Sequence, residues 1–199
     1  MLIKASRITN LTDARYFAAK EADFLGFNLE EGTEGYLDPV YMKAIREWVE
    51  GPKIVGEFSR ADSSVIREAA RFFGLDAVQV TGAYAARLAE LEGLELIMQL
   101  DGAQDHASLL QTFGVTRGQV AWYLVSLKPG MPDPEETAFW KKCCADYPVL
   151  LEADVPEAQW PDFLAELRPA GLGLTGGDEE QVGVKSFDEI DLIFEALGR

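Results

Sequence analysis

Short, nearly continuous apolar runs alternate along this chain with stretches in which apolar residues recur every three or four positions. The runs LIKASR (2–7), FLGFNL (24–29), KIVGEF (53–58), DAVQV (76–80), LELIMQL (94–100), VAWYLVSL (120–127), VLLEAD (149–154) and GLGLT (171–175) predict strands. Their continuity fits parallel strands covered on both faces. Between them, LTDARYFAAKEA places Leu11, Ala14, Phe17, Ala18 and Ala22 on one helical stripe. SSVIREAARFFG does the same with Val65, Ile66, Ala69, Ala70 and Phe73, and Gly74 is placed to end that helix. In SFDEIDLIFEAL, Ser186 and Glu189 read as a capping box ahead of a buried face of Ile190, Ile193, Phe194 and Leu197. The pattern near 105–113 is weaker and predicts one or two helical turns. Pro161 interrupts or restarts the helix after the seventh strand.

Eight strands, each followed by a helix or its remnant, predict an α/β fold, a single (β/α)8 TIM barrel spanning 1–199 as one domain. A doubly wound open sheet is the alternative, but no G-x-G-x-x-G turn follows the first strand. In a barrel the chemistry gathers at the carboxyl ends of the strands. That rule selects Ser6, Arg7, Asn28, Glu57, Gln79, Gln99, Ser126, Glu152, Asp154, Thr175, Gly176 and Gly177. Glu57 and Glu152 interrupt apolar runs, and a carboxylate there needs a partner or a function. Each is either a general base, a cation ligand or an acceptor for a polyol or amine substrate, or else it salt-bridges Arg7, Arg60 or Lys4 or points to solvent at the rim.

Composition narrows the partners. A formal net charge of −16 argues against nucleic acid and anionic membranes, which require a basic face. No apolar run approaches the length of a membrane span, so the expected setting is cytoplasmic. The adjacent Cys143 and Cys144 suit helix packing in a reducing compartment, since neighbouring cysteines rarely form a relaxed disulfide. With His106 the only histidine, a histidine-based metal site or a serine–histidine triad has a single possible imidazole, and no metal site is expected.

The opening IKASRITNLTDARYFAAKEADFLGFNL resembles the start of the phosphoribosylanthranilate isomerase family, roughly K-I-C-G-[IL]-T-N-x-x-D-A followed by G-A-D-x-L-G-F. The similarity continues at KIVGEF, at FGLDAVQVTG and at VGVKSFDEIDLIFEA, with strand order and spacing kept. It implies the barrel fold and a cofactor-free Amadori rearrangement in tryptophan biosynthesis. It also implies a cysteine base after strand one, an aspartate acid after strand six and an arginine clamp after strand two. Glycine-rich turns after strands seven and eight would hold a phosphate.

At each of these places the chain departs from the family. Ser6 stands for the cysteine, and a lone hydroxyl is far too weak an acid to serve as its substitute near neutrality. Arg7 replaces the following glycine, Val125 or Ser126 the aspartate, and Gly35 the arginine. Glu152 and Asp154 stand where the phosphate would lie, while Gly177 is retained beside Asp178. Two like charges about 4 Å apart cost roughly 4 kcal/mol at an effective dielectric near 20. The expectation is therefore a barrel of this family that has lost the reaction and binds another small molecule at its C-terminal face, as a monomer or homodimer. One alternative is a divergent isomerase using Glu57, Glu152 or Asp154. Another is a new enzyme with an acidic, cation-binding pocket.

Overall fold

The computed structural model describes residues 1–176, 179–181, 184, 185 and 187–198. Eight parallel strands close into a barrel in chain order, with β1 paired to both β2 and β8. They are β1 (Leu2–Ser6), β2 (Phe24–Asn28), β3 (Lys53–Phe58), β4 (Ala77–Thr81), β5 (Leu96–Asp101), β6 (Trp122–Ser126), β7 (Val149–Glu152) and β8 (Gly171–Thr175). An antiparallel pair, β9 (Glu179–Gln181) and β10 (Val184–Lys185), follows. The closed parallel sheet is the predicted (β/α)8 barrel. The open-sheet alternative is excluded.

The helices are α1 (Leu11–Ala19), α2 (Pro39–Arg46), α3 (Ser63–Phe73), α4 (His106–Thr116), α5 (Pro134–Asp146), α6 (Trp160–Leu167) and α7 (Asp188–Ala196). Their starts are chemically marked. Asn10, Asp38, Asp105 and Asp133 accept hydrogen bonds from the first-turn amides of α1, α2, α4 and α5, satisfying donors that no helical carbonyl can reach. Gly74 closes α3 in the left-handed region, at φ 58°. Pro161 sits in the first turn of α6, after a short 3₁₀ turn at Glu157–Gln159, so the proline restarts the helix.

Two expectations are revised, and the helical remnant is located after β4. The helix near 105–113 is a full three turns, because Leu109, Phe113 and Thr116 bury one face and tertiary packing overrides its poor pattern. After β4 there is no α-helix: the 3₁₀ turns Gly82–Tyr84 and Leu88–Leu91 cover that wall with Tyr84, Leu88 and Leu91. Val65, expected on the buried face of α3, points to solvent while Ile66 and Ala70 face inward. The capping residue Ser186 lies outside the described residues.

Period-two alternation sorts the strands into two environments. Residues such as Ile3, Ala5, Leu25, Phe27 and Ile54 join the outer core between strands and helices. Phe24, Val55, Ala77, Ile97, Leu124 and Leu150 fill the barrel's interior toward its amino-terminal end. Above that apolar plug, the inward positions become polar. The plug is what makes the site a floor rather than a pore.

Candidate active site

The floor begins with Lys4, the inward residue at the middle of β1. Its side chain is 0 % exposed, and its ammonium donates to Glu57 Oε1 at 2.6 Å and to Ser6 Oγ at 2.8 Å. Glu57 comes from β3, two strands away. The strand between them, β2, supplies the room: a Cβ on Gly26 would fall on the Glu57 carboxylate and within 2.8 Å of Lys4 Nζ. Glu57 also accepts from the Arg7 amide, at 3.2 Å to Oε2. A buried carboxylate is thus matched by a buried ammonium and by a main-chain donor, as burial of charge demands.

From Ser6 the network runs on. The Ser6 hydroxyl donates to Glu152 Oε1 at 3.2 Å, and the Ser126 hydroxyl donates to Glu152 Oε2 at 2.5 Å. Glu152 is in register with Ser126 across the β6–β7 pair, so both project inward side by side. Here too a glycine makes the space, because a Cβ on Gly173 of β8 would collide with Glu152 Cγ. The result is one chain of polar contacts, from Ser126 through Glu152, Ser6 and Lys4 to Glu57.

On the opposite wall, Gln79 Nε2 donates to Gln99 Oε1 at 3.1 Å. Gln79 is the register neighbour of Glu57 and is 5 % exposed, yet its Oε1 has no hydrogen-bond partner among the described residues. Above the floor, a cleft of about 820 Å³ opens between the ends of β6, β7 and β8 and helix α7. Arg7, Ser126, Glu152, Asp154, Thr175 and Gly176 all line it. Arg7 holds φ 54°, a left-handed conformation that a side-chain-bearing residue adopts at a cost of about 1–2 kcal/mol. Gly176 packs on Asp13 of α1, with room for no Cβ.

Of the predicted residues, Arg7, Asp154, Thr175 and Gly176 line the cleft. Ser6, Ser126, Glu152 and Glu57 form one network, and Gln79 and Gln99 form a facing pair. Asn28 does neither: its amide donates to Thr33 Oγ1 and the Glu34 carbonyl and accepts from the Glu30 amide, so it folds the loop after β2. Gly177 lies outside the described residues. Sequence reasoning gave Lys4 only as one of three partners for a glutamate and passed over Gly26 and Gly173. Their signal was positional, a lysine and two glycines at inward positions of strands with otherwise apolar neighbours. Among the described residues, no three carboxylate, imidazole or thiol groups converge as a metal ion requires.

A plugged parallel barrel with a polar floor and a cleft at the carboxyl ends of its strands defines the class: a (β/α)8 barrel protein. No protein-family model matches the chain. It is 28% identical to the N-(5'-phosphoribosyl)anthranilate isomerase of Bacillus licheniformis, over 98% of this chain and 94% of that protein. Its fold is similar to that of monomers of the dimeric phosphoribosylanthranilate isomerase of Thermotoga maritima, with TM-score 0.79, 18% identity and coverage of 100% and 98%. A phosphoribosylanthranilate isomerase in complex with reduced 1-(o-carboxyphenylamino)-1-deoxyribulose 5-phosphate gives TM-score 0.78 at 19% identity, with both chains fully covered. Over nearly its whole length the chain is similar to proteins named phosphoribosylanthranilate isomerase.

Proposed function

We propose that this barrel no longer carries out the Amadori rearrangement and instead holds a different small molecule at its mouth. One observation carries this reading: the Glu152 carboxylate bridges Ser6, at the position that the resemblance assigns to the general base, and Ser126, one of the two positions it offers for the general acid. A proton-transfer couple must face the reacting carbons from both sides. Here the two positions are hydroxyls whose donor capacity is spent on a carboxylate between them. That carboxylate also places negative charge in a mouth that would have to accept a phosphate ester.

The test is direct assay of the purified protein with phosphoribosylanthranilate, followed by loss of substrate fluorescence, together with complementation of a tryptophan auxotroph lacking the isomerase. Neither turnover above the uncatalysed rate nor growth is expected. The same geometry singles out the competing reading: if turnover is seen, Glu152 is the carboxylate placed to move the proton. Glu152→Gln should then lower kcat at least a hundredfold.

A further inference from the structure

Hydrogen-bond and charge bookkeeping on the floor points to the chemical class of the molecule it takes. Lys4 and Glu57 neutralise one another. Glu152 is half-buried and receives two hydroxyl hydrogen bonds but no cation among the described residues, which leave the tier with one uncompensated negative charge. Both serine hydroxyls are committed, since Ser6 and Ser126 point at Glu152, and one N–H of the Gln79 amide points at Gln99. A buried acceptor is left open among the described residues: Gln79 Oε1, at a position 5 % exposed and on the same inward tier as Glu57. A buried acceptor with no donor costs about 1–3 kcal/mol, which a ligand or a water supplying an N–H or O–H recovers.

The cleft above repeats the pattern. Glu152, Asp154, Glu157 and Glu189 line it against a single guanidinium, that of Arg7. None of the four forms an ion pair among the described side chains. Its remaining wall is apolar, with Val155, Trp160, Leu174 and Ile190. Metal-ligand groups do not converge there among the described residues, so the charge deficit suits a diffuse organic cation better than a bare ion.

We propose that the mouth binds an organic ammonium ion, its charged head against Glu152 and its apolar body along the Trp160–Ile190 wall. This deepens the reading given above and rests on it. An ammonium brings three N–H donors to a tier rich in acceptors and cancels its net charge, while an apolar body displaces water from the wall. A phosphate ester offers the reverse of each feature.

Calorimetric titration of the intact protein with benzylamine, benzyl alcohol and inorganic phosphate tests the assignment. Benzylamine should bind at least tenfold more tightly than benzyl alcohol, and phosphate should not compete. In Glu152→Gln, which keeps the side chain's shape, the preference for the amine should fall to within about twofold. Equal affinity for amine and alcohol in the unaltered protein overturns the proposal without any variant. So does phosphate binding tighter than benzylamine, or an amine preference that survives Glu152→Gln in a variant whose Tm is unchanged. Isomerase turnover by a protein that still prefers benzylamine would instead defeat the functional reading and leave the ligand class standing.

Discussion

At the scale of single residues, Lys4 matters most to the architecture of the mouth. It is wholly enclosed, and its ammonium is the only cation within reach of the Glu57 carboxylate in the described network. Removing one partner of such a pair leaves the other charge stranded, which costs about 3–5 kcal/mol, whereas removing both costs far less. Lys4→Met should therefore lower the unfolding free energy by that amount in urea, and Lys4→Met with Glu57→Gln should recover a large part of it. Equal losses in the single and double variants would show that the pair is not coupled. Cys143 and Cys144 illustrate the opposite case. Burial pushes their thiols up to about 11 and about 12, so both are packing groups and poor nucleophiles at neutral pH.

Among elements, the joint between the loop after β2 and the turn entering α3 is fixed by Glu30. Its carboxylate accepts from the Ser59 amide and hydroxyl, both at 2.6 Å, and from the Arg60 amide at 3.2 Å. Burial raises its pKa, but the Ser59 and Arg60 hydrogen bonds and the Arg60 charge together outweigh it, and the net shift is below the ordinary value of 4.5. A carboxyl group whose pKa is depressed on folding adds stability above its unfolded value and loses it as the pH falls through the folded one. Glu30→Gln should thus be less stable than the parent at pH 7, with the gap narrowing below about pH 4.5 in paired urea titrations. A gap independent of pH would remove the electrostatic part of this account.

Element by element, the strands were legible because each is an apolar run bounded by turn residues, and their order alone implied closure. Helix α4 was under-read because what holds it is Phe113 against Tyr123 and Tyr147, contacts that no local window contains. The candidate site was partly legible for the same reason. Glu57 and Glu152 stand out as charges within apolar runs, but Lys4, alternating with Ile3 and Ala5, could be named only as one of three candidate partners for them. Only closure of the barrel turns its side chain inward. The roles of Gly26 and Gly173 require knowing which side chains lie across from them.

For the whole molecule, the dominant quantity is the net charge of −16 on 199 residues. Self-repulsion on that scale destabilises the compact state and is screened within about 10 Å at 0.1 M salt. Raising sodium chloride from 20 to 300 mM should lift Tm, by about 2–4 °C for each kcal/mol recovered in a chain of this size. Potassium chloride should act identically, and a flat or falling Tm would refute the screening account. The described helices include none long and apolar enough to cross a membrane.

The glycine at 173 also constrains the order in which this mouth arose. A glutamate at 152 can occupy its present rotamer only where position 173 lacks a Cβ. The two sites are therefore epistatic: the bare backbone at 173 had to precede, or arrive together with, the acid at 152. Replacing Ser6 alone with cysteine would leave that carboxylate in place, so a change at position 6 does not by itself open the floor between Ser6 and Ser126.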